Sequence, residues 1–273
     1  MAVLTLTSDF GIQDYLAGAV KGLLLQIDPS FNLVDISHAI RPFNYPQAAY
    51  ICRNAIRHFP ELSYHLVLVS LFERKNTHLL LAYHKNQYYL CADNGLLPMI
   101  LEEKPELVIG LPMNPSLQGH TLHCIETFGK AIAALNQGER ITDIGEPDFP
   151  YLEKNPLKPW LQENSIEGQI IYIDQFENVV VNITREQFDA QRKGRGFVII
   201  FKRNETIERL SNHYAEVPEG EKLAHFNAAG YLEISVNKGN AAGLFGLQGY
   251  AEQSQNAYLQ NRLFYQTVKI FFQ

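Results

Sequence analysis

The stretch LTLTSDFGIQDYLAGAVKG, residues 4–22, sets Asp9 and Asp14 on either side of a glycine at the end of an apolar strand. At neutral pH, carboxylates placed this way serve as hydrogen-bond acceptors. Two uses follow from that chemistry. In an open α/β sheet, groups at the carboxyl end of a strand face the ligand crevice, where Asp9 and Asp14 would accept from a polar ligand such as a ribose. Alternatively, Asp9 takes the orphan N–H groups of the following helix and caps it. The elements that position the pair are legible locally. Residues 3–6 alternate with Thr5 and Thr7 as a strand, Ser8, Asp9 and Gly11 supply a turn, and Leu16, Val20 and Leu23 recur at helical spacing.

Other reactive side chains carry weaker signals. Cys52, Cys91 and Cys124 show neither CxxC nor metal-type spacing and read as reduced, packed thiols. His58, His65, His84 and His213 have no metal-ligand spacing with Asp, Glu or Cys, so no metal is expected. Asp35 and His38 in VDISHAI read as a hydrogen-bonded supporting pair, and Asp93 and Asn94 in ADNGLL as a turn and cap at a helix entrance.

The chain has 273 residues, 46% hydrophobic and 19% charged, enough for a sizeable core and for two domains. A formal net charge of -6 with no basic run argues against nucleic acid as a partner. No stretch has the length or apolarity of a membrane span and no charged leader precedes an apolar run, so a cytoplasmic protein without a membrane partner is expected.

Through residue 150, strand patterns such as NLVDIS, YHLVLV, HLLLAYH and QYYLCA alternate with helical ones such as QAAYICRNAIRHF and TFGKAIAALNQG. This predicts an α/β N-terminal domain over 1–150 with a mostly parallel sheet. A proline-rich connector over 151–165 follows, and short β-rich segments predict a smaller all-β, barrel-like C-terminal domain over 166–273.

Six ordered blocks, TSDFGIQDYLAGAVKG, VDISHAIRPFNYPQAA, ADNGLL, YIDQFENVVVNI, YAEVPEG and NAAGYLEISVNKGNAAGLFGL, span nearly the whole chain. Together they resemble the S-adenosylmethionine (SAM) hydrolase (adenosyl-forming) family, the SAM hydroxide adenosyltransferases, formerly a domain of unknown function and related to the SAM-dependent fluorinase and chlorinase. The resemblance implies a homotrimer in which SAM, as substrate and with no further cofactor, lies between one subunit's N-domain and its neighbour's C-domain. Water or hydroxide attacks the ribose C5′, and the sulfonium leaves as methionine. The halogenating members carry an added N-domain loop that LLLAYHKNQYYLCADNG is too short to contain.

Carried over residue by residue, the resemblance assigns the ribose hydroxyls to Asp9 and nucleoside packing to Phe43. It gives the methionine amino group to Asp174, a place near adenine to Asn178, and an adenine-edge backbone segment to Gly239, Asn240 and Ala241. Ala228 stands where the family has a carboxylate-binding serine. The water-activating set departs most. In SLFERKNTH, Ser70 occupies the position of the catalytic Asp, Leu71 that of its proline and, without gaps, Thr77 that of the Arg. In TLHCIETF only the histidine, His123, matches, with Cys124 for a glycine and Glu126 for the acid. The expected catalytic groups are therefore His123 and Ser70, with Glu73 or Arg74 as substitutes from a shifted loop. Read without the resemblance, FERKN is a solvated loop and His123 an ordinary packed histidine. A family member that binds SAM or adenosine but turns nothing over is the alternative to a hydrolase.

Overall fold

The computed structural model describes residues 2–75, 77–114, 116, 119–154, 157–202, 205–247 and 266–273. The chain divides into two compact units, Met1–Pro156 and Leu157–Gln273. In the first unit the order is β1 (Val3–Ser8), α1 (Leu16–Ile27), β2 (Asn32–Ser37), α2 (Tyr45–Ile56), β3 (Tyr64–Leu68), β4 (His78–His84), β5 (Gln87–Ala92), α3 (Leu96–Leu101), β6 (Leu107–Pro112), α4 (Thr121–Asn136) and β7 (Glu146–Pro147).

These strands form one sheet in the order β2-β1-β3-β5-β4-β6-β7. The first four are mutually parallel, as the alternation with helices predicts. β4 runs antiparallel to both neighbours, and β7 is antiparallel to β6. The reversal at β4 has a local cause. Lys85 and Asn86 both take positive φ, 47° and 59°, the two-residue turn whose twist matches an antiparallel hairpin.

Period-two alternation splits the strands between two cores. Leu66 and Leu68 face α1 and α4, whereas Val67 and Val69 face α2 and α3. α4 lies close on α1 because Gly129 has no side chain: a Cβ there would sit 2.5 Å from Ile27 Cδ1. All three cysteines are free and buried, and burial pushes the Cys52 and Cys124 thiols up to about 12 and about 11, which keeps them protonated and unreactive.

The second unit contains β8 (Trp160–Gln162), β9 (Ser165–Ile173), β10 (Val179–Thr184), α5 (Arg185–Arg192), β11 (Phe197–Lys202), β12 (Glu205–Ile207), β13 (Lys222–Phe226), β14 (Tyr231–Val236), α6 (Ala241–Leu244) and β15 (Thr267–Phe272). Its sheet, β12-β11-β15-β9-β10-β14-β13, is antiparallel, with β8 paired to β9. The edge strands β12 and β13 approach one another, giving the nearly closed barrel that the short β-rich segments predict. β9 is long enough to serve three partners: residues 165–169 pair with β15, 165–167 also with β8, and 170–173 with β10.

The all-β expectation for this half misses α5. Thr184 and Gln187 form a reciprocal capping box at its start, and Phe188 is fully buried against Phe197, Phe226 and Phe272. Among the described residues, no helix is long and apolar enough to cross a membrane.

Candidate functional site

The chain passes from β1 to β2 on one side and later to β3 on the other, so the strand order changes direction between β1 and β3. Such a switch point opens a crevice at the carboxyl ends of the two strands. Asp9 follows β1 directly, and Ser70 lies just beyond β3. The Ser70 N–H donates to Asp9 Oδ2 at 2.8 Å. Burial holds the Asp9 carboxyl above the ordinary aspartate value, partly offset by the Ser70 and Asp9 backbone N–H groups.

Capping of α1 by Asp9 is not what the structure contains. Asp14 Oδ1 takes the Leu16 N–H at 2.8 Å instead, which settles Asp14 at the helix entrance and leaves Asp9 on the crevice.

Ser70 is held in an uncommon backbone state, with φ at 49°. Asn94 fixes it there: its Nδ2 donates to the carbonyls of Val69 at 2.9 Å and Ser70 at 3.2 Å, while its Oδ1 accepts the Leu96 N–H. Asn94 is thus both the helix-entrance cap that its sequence context predicts and a clamp on Ser70, a role the sequence does not announce. Ser70 Oγ is buried without a hydrogen-bond partner among the described residues.

The Asp35–His38 pair supports the adjoining loop. Ser8 Oγ and His38 Nδ1 are 2.7 Å apart, His38 Nε2 lies 3.2 Å from Asp35 Oδ1 without hydrogen-bond alignment, and Lys21 pairs with Asp35 at 2.6 Å. The His38 carbonyl accepts the Gly11 N–H, fastening the turn after Asp9. Phe43 stands at the start of α2 with φ at 62° and its ring 68% exposed. A bulky residue in the left-handed region is rare, and held apolar in water it resembles strain kept at functional sites.

Among the described residues, the candidate water-activating side chains are not joined to one another by direct hydrogen bonds or ion pairs. His123, in the first turn of α4, accepts the Asn114 N–H on Nε2 at 3.2 Å, and its Nδ1 lies 3.8 Å from Glu126 Oε2. Among the described residues no hydrogen bond or ion pair joins His123 to Asp9 or Ser70. Thr77 lies one link away from it, its carbonyl taking the N–H of Met113, the residue before Asn114. Glu73 and Arg74 are engaged elsewhere, with Lys154 at 3.5 Å and Asp93 at 3.6 Å.

In the second unit the loop after β9 folds around Asp174. Its Oδ1 accepts the N–H groups of Phe176 and Asn178, each at 2.9 Å, and its Oδ2 accepts from Asn178 Nδ2 at 3.0 Å. Burial nevertheless raises the Asp174 carboxyl. Glu177 makes the turn with φ at 64°, a conformation that favours glycine, and its carbonyl takes the Ala242 N–H at 2.9 Å. That bond brings α6 to the loop. Asn240 Oδ1 caps α6, accepting the Gly243 N–H at 2.6 Å, and Ala241 is fully buried, so what this pair can offer a ligand is its backbone and the Asn240 amide NH2.

Beside the loop lies a pocket of ≈ 440 Å³ lined by Phe176, Asn178, Tyr214, Val236, Lys238 and Gly239. Its volume falls within the about 300–1,000 Å³ typical of small-molecule sites, and two aromatic rings with an amide suit a flat heteroaromatic base. Tyr214 was not among the expected site residues, although YAEVPEG contains it.

Comparison with known proteins bears on what the crevice of the first unit and the pocket of the second are for. The chain is 29% identical over 252 residues to the (R)-S-adenosyl-L-methionine hydrolase of Thermus thermophilus, covering 88% of this chain and 94% of that one. It is 26% identical over 265 residues to the enzyme of the same name from Methanocaldococcus jannaschii, covering 94% and 96%. A crystal structure of an uncharacterized conserved protein from Thermotoga maritima shares the fold with a TM-score of 0.78 at 22% identity, covering 99% of this chain and 100% of that one. Residues 4–145 match the SAM hydroxide adenosyltransferase N-terminal domain and residues 168–252 the corresponding C-terminal domain, so the chain belongs to the SAM hydroxide adenosyltransferase family.

Proposed function

We propose that the protein is a SAM hydrolase of the adenosyl-forming type with weakened activation of its water. Water oxygen bonds to the ribose C5′ as the C5′–S bond breaks, the electron pair passes to sulfur, methionine departs neutral at sulfur, and the water's proton is lost. Asp9 accepts from the ribose hydroxyls, Asp174 from the methionine amino group, and Asn178 lies by the base with the backbone of Asn240 and Ala241. Phe43 covers the nucleoside. Ser70 Oγ and His123 are the groups left to orient the water, which needs alignment more than force because a sulfonium is already a good leaving group.

The observation that carries this reading is the Asp9 carboxylate held on the Ser70 N–H at the β1/β3 switch point. A second reading, binding without turnover, draws on the His123 Nε2 bond to Asn114, which occupies the lone pair a general base would use. Incubation with SAM and chromatography for adenosine separates the two. A hydrolase forms adenosine, and His123→Ala lowers the rate about 100-fold. Asp9→Asn weakens adenosine binding by about 10- to 100-fold through loss of charge-assisted hydrogen bonds. If SAM or adenosine raises the melting temperature of the parent chain and no adenosine appears, the protein binds only.

The resemblance further supports a homotrimer whose sites each combine Asp9 from one subunit with Asp174 from another. Mixing Asp9→Ala and Asp174→Ala chains is then expected to restore a fraction of binding sites that neither variant has alone. Absence of rescue in a verified mixed trimer counts against shared sites.

A further inference from the structure

We propose that Glu233 is a positioning residue that fixes Tyr214 and Asn178 at the pocket of the second unit and so sets its affinity for the adenosyl group. The proposal rests on the ligand reading above. Glu233 lies on β14, 4% exposed. Its Oε1 accepts from the Tyr214 hydroxyl at 2.8 Å and Ser235 Oγ at 3.0 Å and stands 3.1 Å from His225 Nε2; its Oε2 accepts from Asn227 Nδ2 at 3.2 Å. Although desolvation alone would raise it, these donors hold the Glu233 carboxyl below the ordinary glutamate value.

A carboxylate sunk in a strand is a poor way to gain stability, since an apolar residue of similar volume commonly does as well. What this one does is reach outward. Tyr214 belongs to a short 3-10 turn, 41% exposed, with no regular strand or helix to hold its ring. Glu233 anchors the hydroxyl, and the His225 ring packs edge-on at 4.9 Å. Asn178 Nδ2 in turn reaches the Tyr214 hydroxyl at 3.4 Å and Asp174 at 3.0 Å. One buried charge therefore orders a chain of contacts that ends on two pocket-lining side chains and on Asp174. A pocket whose ring and amide are already fixed loses less freedom on binding than one that must order them.

The test compares the parent with Glu233→Gln and Tyr214→Phe by calorimetric titration with adenosine and with SAM, after thermal melts establish that each chain is folded. 3-Fluorotyrosine incorporation reports the order of the Tyr214 ring by 19F NMR, the resonance being assigned by its loss in Tyr214→Phe. Each variant is expected to weaken adenosine binding about tenfold. The double variant is expected to be little worse than either, because both cut the same contact. In Glu233→Gln the Tyr214 resonance broadens or splits.

A folded Glu233→Gln chain with unchanged Kd and an unchanged 19F line overturns the role of Glu233, whatever its melting temperature. If Glu233→Gln fails to fold, Tyr214→Phe decides, and unchanged affinity there overturns the proposal equally. Absence of binding by the parent chain overturns the ligand reading and with it the affinity claim, while the 19F comparison still decides whether Glu233 orders the ring.

Discussion

Ser70→Asp is expected to raise the rate of adenosine formation from SAM by about 100-fold, the lower end of what a positioned general base supplies. The site accepts the change for local reasons. Ser70 has φ at 49°, a region that aspartate visits more readily than most residues. Its Oγ has no hydrogen-bond partner among the described residues, so no existing bond is broken by replacing it.

The introduced carboxylate comes to lie near Asp9, whose own carboxyl is already raised by burial. Like charges at that separation cannot both ionise easily, so the rate–pH profile of the variant should gain a limb displaced upward from the ordinary carboxylate range. Adding Thr77→Arg supplies a cation and should move that limb back down. A folded Ser70→Asp chain that binds adenosine with parental affinity yet forms it no faster would refute the alignment of this loop with the family's catalytic aspartate.

The second large effect concerns stability in acid. His65 on β3 is fully buried, its Nδ1 2.8 Å from Thr5 Oγ1, and its ring packs against Phe59 and Tyr89. Burial pushes its pKa down to about 3, from the 6.5 of an exposed histidine. The unfolded chain therefore takes up a proton that the folded chain refuses. Stability from this group is fully present above about pH 6.5 and is lost as pH falls toward 3, at about 1.4 kcal/mol per unit.

Urea titrations at several pH values between those limits should show that slope in the parent, and a shallower one in His65→Phe by about one proton. Glu233, with its depressed carboxyl, acts in the same direction at lower pH, whereas the raised carboxyls of Asp9 and Asp174 act oppositely. The parent–variant difference isolates His65, and parallel slopes would show that its proton is not the one involved.

Which of these residues the sequence reveals depends on the range of their interactions. Strands with period-two alternation and helices with apolar repeats are local patterns, and β1, α1, β2, β3 and α4 follow from them. So does the β4–β5 hairpin, flanked by strong strand patterns, but the placement of β4 between β5 and β6 is a long-range pairing no local pattern encodes. α5 was available in principle through Thr184 and Gln187, a capping box hidden by the strand-rich segments around it.

The site divides the same way. Asp9 stands out because it ends a strand, yet its preference for Ser70 over α1 depends on β1 and β3 being neighbours. Asn94 looks like a turn residue from its neighbours in the chain, and its hold on Ser70 spans 24 positions. Glu233 is a charged residue inside a strand whose six residues are all buried, a local anomaly that signals a purpose without naming Tyr214 as its partner.

The place of β15 governs the order in which this protein can be made. Although it comes after every other strand of the described residues, it lies between β11 and β9 in the middle of the barrel sheet. A ribosome delivers residues from the amino end, so the first unit can collapse on itself while the second still lacks its central seam. Until residues 267–272 emerge, the facing edges of β9 and β11 stand unzipped, and translation stalled short of them leaves sticky half-barrels for chaperones to shelter.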